Sequence, residues 1–363
     1  MITAPYLRWA KARPRVTYDL AASGLRHVTT EELLGDMAAK DAFDLGGPND
    51  EGFLPLRQAI GARYGMTADA VAIANGAAGA NFLVCQALLE PGDEVLIEQP
   101  AYDPLMAAAR AAGAGVVHFE RSWARGYALD PYVVRTALTP RTKLIIISNA
   151  HNPSGALASR EALEQVGVMA EAIGARVLVD EVYAEAQHDS APRPPAAAEL
   201  GEVFITTSSL TKAYGLAGLR CGWVLASPDL AARIRVARDI VDGSGAFPPE
   251  QLAVRAFGMI DQLRARVQGI LAPNFELMTR MLASHPRLEW LAPVAGTTVF
   301  PRVKGVDDTT ALVDRLIADY DTVAVPGHFF QAPQHIRISF GGQHNMLAEG
   351  FSRLDQALRA LPS

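Results

Sequence analysis

Between residues 71 and 225 the chain repeats one pattern: a short apolar run, a turn of small or polar residues, then a longer helical segment. The apolar runs are Val71-Ala-Ile-Ala, Glu94-Val-Leu-Ile, Val116-Val-His-Phe, Leu144-Ile-Ile-Ile-Ser, Val177-Leu-Val-Asp, Phe204-Ile-Thr-Thr and Cys221-Gly-Trp-Val-Leu. Strands without polar alternation need cover on both faces, which predicts a mostly parallel sheet sandwiched by helices. Helices are expected over 76–89, 104–112 and 159–173, the last with Ser159 at its start and Gly174 past its end. From about Pro273 the pattern changes to helical segments flanking short strands near Thr298-Val-Phe and Ile336-Arg-Ile-Ser-Phe. The expected fold class is α/β, a mostly parallel sheet of seven-stranded type over residues 40–255, with a smaller α+β domain from residues 1–39 and 256–363. The Pro/Ala stretch Ala191–Ala198 reads as a surface loop.

Composition narrows the function classes. The 363 residues are 50% hydrophobic and 20% charged, enough for a large core. The net charge is -6 with Lys and Arg scattered, so neither nucleic acid nor a membrane surface is an expected partner. Cys85 and Cys221 stand far apart, which speaks against a disulfide framework or a zinc ribbon, and no metal site is expected. Each reads as a buried small apolar residue in a reducing compartment. The first residues have no cationic head before an apolar run, and the weakly polar stretch Val71–Leu89 is interrupted by Asn75, Gly76, Gly79, Asn81 and Gln86. Neither a signal peptide nor a membrane span is expected, and the location is read as cytoplasmic.

In open α/β sheets ligands bind beyond the carboxyl ends of the strands, and the distinctive polar residues stand there. Lys212 follows the run at 204 among Ser, Thr and Gly. It is either a surface lysine or a Schiff-base lysine, which needs a lowered amine pKa; Arg220 and Ser209 would then converge on a phosphate. Asp180 ends its strand as a loop acid or cap, or as a carboxylate paired with a protonated ring nitrogen. In the second case Tyr183 donates to a phenolic oxygen and Val182 packs on the ring face. Asn152, in Ser148-Asn-Ala-His-Asn-Pro-Ser-Gly155, belongs first to a turn; its amide would otherwise point at a cofactor oxygen. His151 is expected to face solvent. The small residues Gly76, Ala77 and Ala78 at a helix start serve either close packing or a phosphate. Tyr102 is a core aromatic or a plate against a flat ring. Arg337 alternates with apolar residues on its strand, so it lies on a solvated face or clamps a carboxylate in bidentate fashion.

Taken together and in this order, these features resemble the class I/II aminotransferases of the fold type I pyridoxal phosphate enzymes, from about Asp19 to Phe340. The resemblance implies pyridoxal 5'-phosphate bound to Lys212 as a Schiff base, within the family's Ser-x-x-Lys…Arg segment. Ser209 and Arg220 match its phosphate ligands, and Gly76, Ala77 and Ala78 sit where backbone amides grip phosphate. Asp180 and Tyr183 match the Asp-x-x-Tyr pair, beside Val182. Asn152 matches the asparagine of Asn-Pro-x-Gly, and Tyr102 the ring-stacking aromatic. Arg337 looks like the carboxylate-binding arginine, and Gly24 like the glycine near the substrate carboxylate. The implied activity is ping-pong transfer of an amino group between an L-amino acid and a 2-oxo acid, with Lys212, Asp180 and Tyr183 catalytic, in a homodimer. Lyases, decarboxylases and synthases share the fold. Effector-sensing regulators share it too, but append a DNA-binding domain for which the sequence leaves no room. One departure stands out: Gly47 occupies the position of a tyrosine that in the family reaches the partner's phosphate. His328 stands where serine is usual, and Arg302 is a candidate for a substrate side chain only by proximity to Gly296-Thr-Thr-Val-Phe.

Overall fold

The computed structural model describes residues 2–188 and 192–362. The seven apolar runs all form strands: β1 (Val71–Asn75), β2 (Glu94–Gln99), β3 (Gly115–Glu120), β4 (Thr142–Ser148), β5 (Arg176–Asp180), β6 (Phe204–Ser209) and β7 (Cys221–Leu225). They make one sheet in the order β1-β7-β6-β5-β4-β2-β3, in which β7 alone runs antiparallel to its neighbours. The expected α/β class with a mostly parallel sheet is therefore observed.

Strand β4 shows why its run has no polar alternation. Leu144 and Ile146 point into one core cluster and Ile145 and Ile147 into another, all fully buried. Helices α2 (Gly76–Leu88) and α3 (Asp103–Ala111) contribute Val84 and Leu105 to the first cluster, and α4 (Arg160–Ala172) contributes Leu163 and Val166 to the second. Ser159 caps α4 by accepting from Ala162 N at 3.1 Å. A further helix, α1 (Pro5–Ala12), precedes all of these.

Pro273 marks no break. It lies inside α5 (Ile260–Ser284), whose amphipathic face begins well before it and buries Leu263, Val267, Leu271 and Met278. Beyond α5, β8 (Thr298–Val299), β9 (Val325–Pro326) and β10 (Ile336–Ser339) form an antiparallel sheet in the order β8-β10-β9. The N-terminal segment joins this region, with Tyr18–Asp19 pairing parallel to Thr322–Val323. The Pro/Ala stretch is less exposed than a surface loop: Ala196 and Ala197 are fully buried, because Ala197 N and Ala198 N donate to Glu181 and Thr206 underneath. Ala191 lies outside the described residues. Cys85 and Cys221 are free and buried. Among the described residues no helix is long and apolar enough to cross a membrane.

Register sets the site. Ser148 lies opposite Asp180, Asp180 opposite Thr207, and Ser209 opposite Gly222. The carboxyl ends of β4, β5 and β6 thus stand side by side, and the turns that follow them carry Asn152, Tyr183 and Lys212.

Candidate active site

Asp180 ends β5 and is buried. Its carboxylate accepts from Asn81 Nδ2 at 2.8 Å and from Val182 N at 3.1 Å, and it forms no ion pair among the described residues. Burial holds its pKa above the usual carboxylate range, partly opposed by those two donors. Asn81 comes from the buried side of α2 and accepts in turn from Thr207 Oγ1 at 2.6 Å, which fixes its amide orientation. A carboxylate supplied only with amide donors in a buried setting leaves room for one cation.

Lys212 follows β6 and is partly buried. Its Nζ donates to Ser23 Oγ at 3.0 Å. Burial lowers the amine to about 8; Tyr6 opposes this, and Arg337 and Arg220 add to it. Ser23 gathers further groups: its carbonyl accepts from Tyr183 Oη at 3.2 Å and from Thr297 Oγ1 at 2.9 Å. Tyr183 is buried, and burial raises its phenol pKa, so it stays a donor. Gly24 follows Ser23 directly, and its carbonyl lies where a Cβ on Gly341 would meet it at 2.6 Å. Val182 packs beside Ala150, Tyr183 and Ala295.

The start of α2 forms a cup. Asn75 provides no side-chain cap, so the first amides of the helix, at Gly76, Ala77 and Ala78, keep their donors for a ligand. Arg220 leans over this cup: a Cβ on Gly76, at φ +72°, would meet Arg220 Nη2 at 2.4 Å. Gly222, on β7, permits the close approach of the α2 start, since a Cβ there would lie 2.3 Å from the Gly76 carbonyl carbon. Ser209 is fully buried beside it on β6 and accepts from Thr211 N at 3.3 Å.

Arg337 does not face solvent. Both faces of β10 are covered, and the side chain is about as buried as the core. It donates to Asn152 Oδ1 at 3.3 Å, to Tyr6 Oη at 2.7 Å and to Ala21 O at 3.1 Å, and forms no ion pair among the described residues. Asn152 is itself buried and tied by its backbone N–H to Ser148 Oγ at 3.0 Å. Tyr102 is half-buried and meets the Tyr6 ring edge-on at 5.7 Å.

Several expectations change. His151 is buried rather than solvent-facing: it bridges Pro100 O at 2.8 Å and Ser154 Oγ at 2.6 Å, and burial keeps it neutral. Its partners come from two different turns, which compensates for the lost water. His328 is exposed and paired with Thr310 Oγ1 at 2.9 Å, while its neighbour Phe329 packs against Tyr6 and Trp9. Arg302 is half-buried and engaged by Glu289 and Gln334. At Gly47 the space of a side chain is taken by Phe247, whose ring lies 2.2 Å from where a Cβ would stand. Tyr6, Ser23 and Asn81 were not singled out by the sequence, although each bonds directly to a residue that was.

Pyridoxal 5'-phosphate fits this donor set. A cation-free buried carboxylate, a lysine amine of lowered pKa and an uncapped helix start with an adjacent arginine correspond to its ring nitrogen, aldehyde and phosphate. A family model described as aminotransferase class I and II matches residues 10–354. Capreomycidine synthase of Streptomyces vinaceus is 30% identical over 98% of this chain and 93% of its own length. Other relatives of similar identity carry aminotransferase names. A PLP-dependent aminotransferase from Streptococcus suis superposes with a TM-score of 0.89 at 28% identity, covering 96% of this chain and 95% of its own. The PLP-dependent cyclase OrfR superposes with a TM-score of 0.88 at 27% identity, covering 98% and 97%. The chain belongs to the class I and II aminotransferase family.

Proposed function

We propose that this enzyme transfers an amino group between an L-amino acid and a 2-oxo acid, with Lys212 as the covalent anchor of the cofactor. The observation that carries the reading is a pair of buried, unmatched charges, Asp180 without a cation and Arg337 without an anion, in the site that holds Lys212. When bound, pyridoxal phosphate supplies an electron sink for the substrate's α-carbon. Asp180 keeps the ring nitrogen charged, and Asn81 holds the carboxylate in place. Arg337 and Asn152 receive the α-carboxylate and so orient the α-carbon. Lys212 Nζ removes the α-proton; its lowered pKa of about 8 provides a sizeable neutral fraction near neutral pH. Tyr183 donates a hydrogen bond to the phenolic oxygen, and Ser209, Arg220 and the amides of Gly76, Ala77 and Ala78 hold the phosphate. Val182 and Tyr102 flank the ring, and Gly24 leaves space beside the carboxylate. We assign residues 40–255 to the cofactor-binding domain and the remainder to a smaller one, in a cytoplasmic homodimer.

A second reading is favoured by capreomycidine synthase and OrfR: the same residues catalyse a synthase or cyclase reaction. Which α-bond breaks depends on how the substrate is aligned to the ring. Holoenzyme incubated with a panel of amino acids, with and without 2-oxo acids, separates the readings. Transamination requires that a new amino acid form only when the oxo acid is present. A product made from one amino acid without an acceptor, in many-fold excess over the enzyme's active sites, overturns it. Substantial turnover by Lys212→Ala overturns the anchor.

A further inference from the structure

Arg337 has five N–H donors to dispose of. One on Nη1 goes to Asn152 Oδ1 at 3.3 Å, and both on Nη2 are occupied, by Tyr6 Oη at 2.7 Å and Ala21 O at 3.1 Å. Nε is buried and has no partner. A bidentate carboxylate needs two parallel donors along one edge of the guanidinium, either Nη1 with Nη2 or Nε with Nη2. Both edges use Nη2. A carboxylate therefore cannot dock in bidentate fashion until Tyr6 or Ala21 gives up its donor.

The two are not equally fixed. Ala21 O belongs to a buried backbone segment whose neighbour Leu20 donates from its N to Val323 O at 2.9 Å. Tyr6 rides on α1, an eight-residue helix at the start of the chain. Its ties to the core are one backbone bond, Tyr6 N to Asp103 Oδ2 at 3.3 Å, ring contacts to Tyr102, Phe329 and Phe330, and the Arg337 guanidinium 5.1 Å from its ring centroid. With Tyr6 in place the guanidinium is sealed: Tyr6 is 7% exposed, Asn152 6% and Arg337 1%.

We infer that Tyr6 is a specificity-determining residue, its hydroxyl standing in for one oxygen of the substrate α-carboxylate. A ligand enters by exchanging its carboxylate for that hydroxyl, and α1 moves with Tyr6. An amine without a carboxylate offers Arg337 nothing better than the hydroxyl it already holds. The inference rests on the assignment of Arg337 to the substrate carboxylate.

The test is calorimetric titration of the holoenzyme with 3-phenylpropionate and with 3-phenylpropan-1-ol, which has the same ring and chain but no carboxylate. Tyr6→Phe keeps the ring contacts and removes the competing hydroxyl. It is expected to bind the acid roughly tenfold more tightly than the unaltered enzyme, in line with a hydrogen bond to a charged group. The alcohol's affinity is expected to stay unchanged. Acid binding that is unchanged or weaker in Tyr6→Phe overturns the exchange, as does equal tightening of acid and alcohol, which would report a loosened helix. Arg337→Leu is expected to lose the acid; retention of its affinity, or no binding of the acid to the unaltered enzyme, overturns the carboxylate subsite. These titrations require no turnover, so they test Tyr6 even if the transamination assay fails.

Discussion

Replacing Lys212 by methionine is expected to stabilise the apoprotein while abolishing its chemistry. Burial lowers the amine from its ordinary 10.5 to about 8 in the folded chain. In the unfolded chain the amine returns to the ordinary value. Between these two pH values the unfolded chain binds more protons, so stability rises with pH through that window and the full penalty applies below it. The difference corresponds to about 3 kcal/mol near neutral pH. Methionine keeps the linear shape and removes the charge, at the loss of the bond to Ser23 Oγ, worth about 1 kcal/mol. The net gain expected is about 2 kcal/mol. Urea unfolding of both apoproteins at one protein concentration, at about pH 7 and again at about pH 10.5, measures it. The gain should be present at the lower pH and vanish at the higher one. A methionine variant that is less stable at neutral pH, or equally stabilised at both, would refute the reasoning, since only the ionisation of Lys212 makes the gain depend on pH.

Asp180→Ala should lower kcat/KM by at least about a hundredfold while its apoprotein still binds inorganic phosphate at the α2 cup; an unimpaired rate rejects its role. Asn81→Leu removes one of the two donors that hold the Asp180 carboxylate ionised, so its pKa rises further. The carboxylate is then lost earlier as pH falls, and the acidic limb of the kcat/KM profile should move up by about one pH unit; an unmoved limb counts against Asn81. Gly222→Ala places a methyl group 2.3 Å from the Gly76 carbonyl carbon, so cofactor affinity measured by dialysis should fall by more than about tenfold with little effect on secondary structure. Arg121→Met leaves Glu98 buried without its partner at 2.8 Å and should cost about 3–5 kcal/mol in urea unfolding, whereas a loss below about 1 kcal/mol would mean the pair is dispensable.

The seven strands were legible because each is a run that only two-sided burial permits. Their direction was not written in the runs. A signal for β7 existed: the segment 210–220 is too short for the crossover a parallel return needs, and it makes an antiparallel one. Lys212, Asp180, Asn152 and Arg337 were legible as polar residues at strand ends and on an otherwise apolar strand. Their partners were less so. Asn81 sits in a helix whose other inward residues are apolar, and that exception was readable as a buried amide needing a charged neighbour. Tyr6 and Ser23 lie in a segment with no strand period, and long-range bonds bring that segment over the site: the pairing of Tyr18–Asp19 with Thr322–Val323, Ser339 N to Leu20 O, and Thr297 Oγ1 to Ser23 O. His151 looked exposed because turns usually are; its burial depends on the Pro100 carbonyl from another turn.

The charges of the site explain why it reads as unfinished. Arg121 and Glu98 form a buried pair at 2.8 Å, and Arg238 and Glu250 another at 3.0 Å. The buried carboxylates Asp103 and Glu181 accept from backbone N–H groups and form no ion pair among the described residues, so an unpaired buried acid is not confined to the site. What sets the site apart is that an unpaired acid, Asp180, and an unpaired base, Arg337, stand together there with Lys212, which is held below its ordinary pKa. On the proposed assignment, each of the three matches one piece of the cofactor and substrate: a ring nitrogen, a carboxylate and a carbonyl carbon. Buried charges without partners weaken a fold, so their grouping in one place requires a compensating ligand rather than chance. Cofactor binding should therefore raise stability beyond what the phosphate contacts alone provide, and the excess should shrink in Asp180→Asn, where the unmatched charge is gone before the cofactor arrives.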